Sequence, residues 1–126
     1  MAANTLQITP FMHVADSDAA MRFFVDVLGF TCEFRMPGYA YVSRDGAAVR
    51  IQGHDDPAEV PAGHGGFAYY IDVRDLAQVE REIAAGLATL PPRDVYGPVD
   101  QAYGQRELMI RAPDGNLVVF AQAIQG

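Results

Sequence analysis

Apolar and polar positions alternate through residues 7–14, Gln-Ile-Thr-Pro-Phe-Met-His-Val, which predicts a strand with Ile8, Met12 and Val14 on one face and Thr9, Phe11 and His13 on the other. Asp16-Ser17-Asp18 then offers capping side chains to a helix running to about Leu28, with Ala19, Phe23 and Val27 in its apolar stripe and Gly29 as its stop. Residues 30–34, 39–43 and 48–52 have the composition of three more strands. The last two are joined by Arg44-Asp45-Gly46, whose Asp-Gly pair supplies the positive φ of a tight hairpin. The order is βαβββ.

From Gly53 to Gly66 the chain is rich in Gly and Pro and has no period, so it is expected to link rather than to form an element. The opening pattern then returns. Residues 67–73 alternate as a strand, Arg74-Asp75 begins a helix that should stop near Ala85-Gly86, and strands are expected over 93–96, 106–111 and 117–122. A loop over 97–103 and the turn Ala112-Pro113-Asp114-Gly115-Asn116 separate them. Laying Val14-Ala15-Asp16 on Val73-Arg74-Asp75 matches strand to strand and helix to helix, the mark of an internal duplication. The expected organisation is a single α+β domain over 1–126, with module one at 6–53, a linker at 54–66 and module two at 67–123.

Length supports one domain, since 126 residues can share only one ordinary core. No apolar run is long enough to cross a membrane, and the opening residues have no secretory pattern, so a cytoplasmic location is expected. Cys32, the single cysteine, cannot form an internal disulfide, and no basic residue beside it in sequence marks it as a nucleophile. Sixteen acidic residues against nine basic ones give a formal charge of −7, all nine basic residues are Arg, and they do not cluster. That distribution argues against nucleic acid as a partner.

Three segments carry a resemblance. Phe23-Phe24-Val25-Asp26-Val27-Leu28-Gly29-Phe30 is similar to the helix-ending FYxDxLGF motif of the vicinal oxygen chelate superfamily, which contains glyoxalase I, extradiol dioxygenases and bleomycin-resistance proteins. Ala112 to Asn116 resembles its DPDGN turn, and Tyr103-Gly104-Gln105-Arg106-Glu107 resembles the W-G-x-R-E segment of the bleomycin-resistance branch, with Tyr103 in place of Trp. The chain has no Trp at all, which removes the largest stacking platform. The resemblance implies tandem βαβββ modules forming curved mixed sheets around a concave cleft. It also implies where the enzymes of the superfamily hold their metal: those positions fall on Thr9, Arg50, Ala68 and Val119, and Ala and Val offer no lone pair to a divalent cation. Neither a metal nor another cofactor is therefore expected. His54 and His64 bracket a loop with Asp55, Asp56 and Glu59 whose spacing matches no standard metal site and which is expected to be solvated linker.

Alternation assigns contents to the two faces of each sheet. Ile8, Met12, Val14, Val49, Ile51, Tyr69, Ile71, Val73, Val118 and Phe120 form the expected core. Phe11, His13, Arg50, Gln52, Tyr70 and Asp72 fall on the opposite face, a mixture better suited to a ligand groove than to a packed interior. The bland alternative pairs Arg50 with Asp72 or Glu107 in a groove that holds nothing. With Tyr103 and Glu107 from the resembling segment, these residues form the expected ligand-binding set, with Asp100 as a further nearby acid and no catalytic residue assigned. Tyr103 and Glu107 are expected to matter for binding more than for folding. The resulting expectation is a metal-independent, homodimeric small-molecule binding protein, sequestering a cationic or aromatic antibiotic or metabolite. The rival is an enzyme of the same superfamily, a lyase, isomerase or dioxygenase-like protein, with His13 or Glu107 as a base. A third possibility is a dimeric scaffold with no ligand.

Overall fold

A computed structural model of the chain describes residues 3–60 and 67–124. It contains β1 (Phe11–Val14), α1 (Ser17–Arg22), β2 (Thr31–Met36), β3 (Tyr39–Arg44), β4 (Ala47–Gly53), β5 (Ala68–Asp72), α2 (Leu76–Leu87), β6 (Val95–Asp100), β7 (Gln105–Arg111) and β8 (Leu117–Ala123). The strands form two four-stranded mixed sheets, ordered β1-β4-β3-β2 and β5-β8-β7-β6, so the two βαβββ modules have the same topology. In each sheet the first and last strands of the module pair in parallel and the other pairings are antiparallel.

Each sheet buries its apolar alternate positions under its own helix. Met12, Val14, Val49 and Ile51 are buried in module one, and Leu108, Ile110, Val118 and Phe120 in module two. At about 1.5–3 kcal/mol for each fully buried large side chain, this continuous cluster is the main driving force for the fold. Asp16 and Asp75 cap the helices by accepting hydrogen bonds from the Ala19 and Gln78 amides. Ile8 departs from the expected core, being 90% exposed. Proline at position 10 brings no N–H to a ladder, and regular pairing starts only at Phe11.

Other corrections have local causes. The first helix widens into a π-helical turn over Phe23–Val27, with the Leu28 amide donating to the Phe23 carbonyl. Ala20, Phe24 and Leu28 are thereby fully buried, whereas Ala19 and Phe23, expected in the stripe, are only partly so. Gly29 does close the segment, at φ 73°. Gly86 does not end α2, which continues to Leu87. A Cβ at Gly86 would overlap the backbone of Val27, so this glycine lets the two helical segments approach closely. β6 begins later than expected because Pro92–Asp94 forms a 3₁₀ turn, and ends later because Gly97-Pro98 forms a bulge between Tyr96 and Val99 instead of a loop.

Side chains close the seam between modules. Tyr69 Oη donates to the Phe11 carbonyl at 2.8 Å, Asn116 Nδ2 donates to the His13 carbonyl at 3.3 Å, and Asp114 Oδ2 accepts from the Ala15 amide at 2.9 Å. Residues 11 and 13 of β1 and Ala15 just after it thus present one edge to module two while the other edge of β1 pairs with β4. Arg44 adds an ion pair with Glu82 of α2.

Candidate functional site

The face of each sheet away from its helix gathers the residues of interest. On the first sheet, Phe11 lies beside Arg50 and His13 beside Gln52, while Tyr41 and Tyr39 of β3 extend the same two rows. Arg50 Nη1 donates to Tyr39 Oη at 2.8 Å, and the guanidinium lies over the Tyr41 ring, 5.0 Å from its centroid. Among the described residues no carboxylate lies within ion-pair distance of Arg50, and its expected alternative partners, Asp72 and Glu107, are on the other sheet. Gln52 donates to the carbonyls of Gly38 and Gly53.

His13 is the surprise on this face. Its Nδ1 lies 2.9 Å from His54 Nε2, and His54 Nδ1 lies 2.9 Å from Glu59 Oε2. The Phe11 ring stacks against His13 with centroids 6.0 Å apart and planes 19° from parallel. The expectation of a solvated linker is therefore corrected at His54, which directly follows β4 and whose amide donates to the Val14 carbonyl, while a short 3₁₀ turn at Pro57–Glu59 brings the still exposed Glu59 back to it. His64 lies outside the described residues.

The second sheet presents an acidic and aromatic face. Asp72, Ala121, Glu107 and Val99 form one row, and Tyr70, Val119, Met109 and Tyr96 the next. Glu107 is fully buried and, among the described residues, has no cation partner. Its carboxyl accepts from Tyr103 Oη at 2.8 Å, from Gln101 Nε2 at 3.3 Å and from Tyr70 Oη at 3.4 Å. Tyr70 and Tyr103 shield it while remaining 53% and 63% exposed themselves. The hydrogen bond to Glu107, and secondarily that with Tyr70, raises the Tyr103 phenol above the ordinary tyrosine range. Glu107 is consequently part of the structure as well as of the face, which corrects the expectation that folding would be indifferent to it. Asp100 is not a free acid, since Arg106 pairs with it at 2.7 Å and holds its carboxyl below the usual range.

An open groove is lined from both modules by, among others, Phe11, His13, Tyr70 and Asp72. Arg50, Gln52, Tyr103 and Glu107 lie on the same open faces but not along that groove, and the eight expected residues divide by sheet into Phe11, His13, Arg50 and Gln52 on the first and Tyr70, Asp72, Tyr103 and Glu107 at the second. Residues not singled out as ligand contacts complete them: Tyr39 and Tyr41 around Arg50, His54 and Glu59 behind His13, Gln101 beside Glu107. Alternation could have found the two tyrosines, which share the face of Arg50; the others depend on loop conformation. Of the positions implied to hold metal, Ala68 and Val119 carry hydrocarbon side chains and Arg50 a cation, a set that does not fit a divalent ion. Among the described residues no group of three or more His, Cys, Asp or Glu side chains is arranged to hold one.

A family model described as Glyoxalase/Bleomycin resistance protein/Dioxygenase superfamily matches residues 7–120. Among solved structures, the bleomycin-binding protein from bleomycin-producing Streptomyces verticillus, complexed with copper(II)-bleomycin, is 23% identical with a TM-score of 0.73, covering 99% of this chain and 100% of that one. A bleomycin resistance determinant encoded on transposon Tn5 is 24% identical with a TM-score of 0.73, covering 94% and 98%. Lactoylglutathione lyase from Agrobacterium tumefaciens is 19% identical with a TM-score of 0.68, covering 95% and 96%. These likenesses establish the fold, which binders and enzymes share. A search of curated proteins finds no match.

Proposed function

The chain belongs to the glyoxalase/bleomycin resistance protein/dioxygenase superfamily, and from that premise we propose that it binds a flat, cationic or amphipathic small molecule without a metal and without chemical turnover. The observation that carries this reading is the fully buried Glu107 carboxyl, without a cation of its own, beneath the half-exposed rings of Tyr70 and Tyr103. A flat cation stacked on those rings gains their negative faces and the potential of the acid behind them. Asp72, exposed in the same row, adds a second negative group at the rim. Likeness to proteins that bind bleomycin supports the ligand class, an antibiotic or a metabolite of similar shape and charge.

The same reading makes the protein a homodimer. β2 and β6 are outer strands with one unpaired edge each among the described residues, and Phe34, Met36 and Tyr96 on them are more than half exposed. Sedimentation at micromolar concentration should give about 27 kDa, twice the 13.7 kDa chain. A stable monomer would remove any shared groove.

The first experiment is a thermal-shift screen over bleomycins, proflavine and other aromatic cations, followed by calorimetry and mass spectrometry of the recovered compound. Stabilisation by a cation that is recovered unchanged supports the proposal. Recovery of a modified compound above the buffer control overturns it in favour of an enzyme, and no stabilisation by any aromatic cation overturns it outright.

A further inference from the structure

We infer that the open face of the first sheet is a separate binding site for an aromatic carboxylate that also carries a hydroxyl or N–H donor. This goes beyond the cation site on the second sheet and stands or falls without it. Two groups side by side define the ligand: a cation that no acid among the described residues neutralises, and an imidazole held so that its outward nitrogen accepts.

The cation is Arg50. Its guanidinium has five N–H donors, of which Tyr39 takes one, and its position over the Tyr41 ring supports its plane. A carboxylate is the planar, two-oxygen acceptor that such a fork receives best. An ammonium ligand would meet like charge here, opposite to the situation beside Glu107.

The acceptor follows from the hydrogen-bond chain through His13, His54 and Glu59. An ionised Glu59 can only accept, so His54 Nδ1 must carry the proton between them. In the arrangement we infer, His54 Nε2 presents its lone pair and His13 Nδ1 donates to it across 2.9 Å. A neutral His13 then has its lone pair on Nε2, and His13 lines the open groove. This arrangement holds His13 as the less usual Nδ1–H tautomer and offers an acceptor to the ligand. Phe11, 47% exposed and stacked on His13, supplies a flat wall. Arg50 pairs with Phe11 and His13 is two residues further along the strand, so the backbone rows that carry the cation and the acceptor are neighbours on one face, about 6.6 Å apart along the strand.

Calorimetry with 3-hydroxybenzoate tests the assignment, with benzoate lacking the donor and 3-hydroxybenzyl alcohol lacking the charge. The hydroxybenzoate should bind at least about tenfold more tightly than the alcohol and about fivefold more tightly than benzoate. Arg50→Gln should cost about tenfold, with partial recovery in Arg50→Lys, and both should melt like the parent. His54→Phe should abolish the preference for hydroxybenzoate over benzoate while leaving benzoate affinity in place. In ¹⁵N spectra of the unliganded protein, His13 should be protonated at Nδ1 in the parent and at Nε2 in His54→Phe. Saturating proflavine should leave hydroxybenzoate affinity unchanged. Equal binding of the acid and the alcohol, no binding at millimolar concentration, an Nε2-protonated His13 in the parent, or displacement by proflavine would each overturn the assignment.

Discussion

The two open faces occupy equivalent positions of a duplicated module and carry opposite chemistry. Phe11 of β1 corresponds to Tyr70 of β5 and His13 to Asp72; on the paired strands Arg50 corresponds to Val119, Gln52 to Ala121 and Tyr39 to Glu107. The aromatic position survives in both halves. The cation of the first becomes a hydrocarbon in the second, and a tyrosine of the first becomes a buried acid. Side chains on the helix side are constrained by packing, whereas those on the open side are free to change sign. The halves also differ in how their charge is held: Arg50 is partly exposed and braced by two rings, while Glu107 is enclosed and hydrogen-bonded to three donors.

That contrast can be tested most severely by removing each charged group. Glu107→Ala leaves a cavity and deprives two phenols and an amide of their acceptor, so it should cost about 2–4 kcal/mol in denaturant unfolding. Arg50→Ala should cost under about 1 kcal/mol, because what it loses is a partly exposed contact with aromatic rings. Equal losses would erase the distinction between an enclosed and an open charge. Asn116→Ala should fall between them at about 1–3 kcal/mol, since the buried amide joins the Phe67 amide, the Pro113 carbonyl and the His13 carbonyl across the modules.

A smaller effect appears in alkaline titration. Of six tyrosines, Tyr103 is raised by its hydrogen bonds and Tyr69 by burial, so both should ionise late in ultraviolet difference spectra. For a raised acid, the stabilising contribution is complete below the unfolded value and disappears as pH rises through the folded one. Tyr103→Phe should remove one late-titrating group and flatten the corresponding loss of stability above the ordinary tyrosine range. Unchanged spectra would mean that the phenol is not held by Glu107 in solution.

Much of the architecture was legible because periodicity reports which way side chains face. The duplication, the helix caps at Asp16 and Asp75 and the stop at Gly29 follow from local rules. Local rules also mark where they give way: the π-helical turn leaves Phe23 only partly buried, and Gly97-Pro98, composed like a loop, was drawn into β6 as a bulge. Individual site positions were legible for the same reason as the core, yet their partners were not. Nothing in the spacing of His13, His54 and Glu59 announces a hydrogen-bonded chain, because a loop's return to the sheet is decided by tertiary contacts. The turn at Asp114–Asn116 was visible as a motif, but its role in holding β1 needed the neighbouring module in place.

β1 offers a lesson in heredity as well as in structure. Its residues 11 and 13, and Ala15 just beyond it, turn backbone groups to the other module, and 11 and 13 also supply the ring and imidazole of the open face. A point substitution there exchanges one side chain and leaves the backbone bonds available. A one-residue insertion or deletion shifts the parity of everything beyond it, taking the seam, the core positions Met12 and Val14 and the open face out of phase together. Lineages of this protein should therefore vary freely in the chemistry displayed by β1 and almost never in its length, and libraries that diversify the site should randomise identities at fixed spacing.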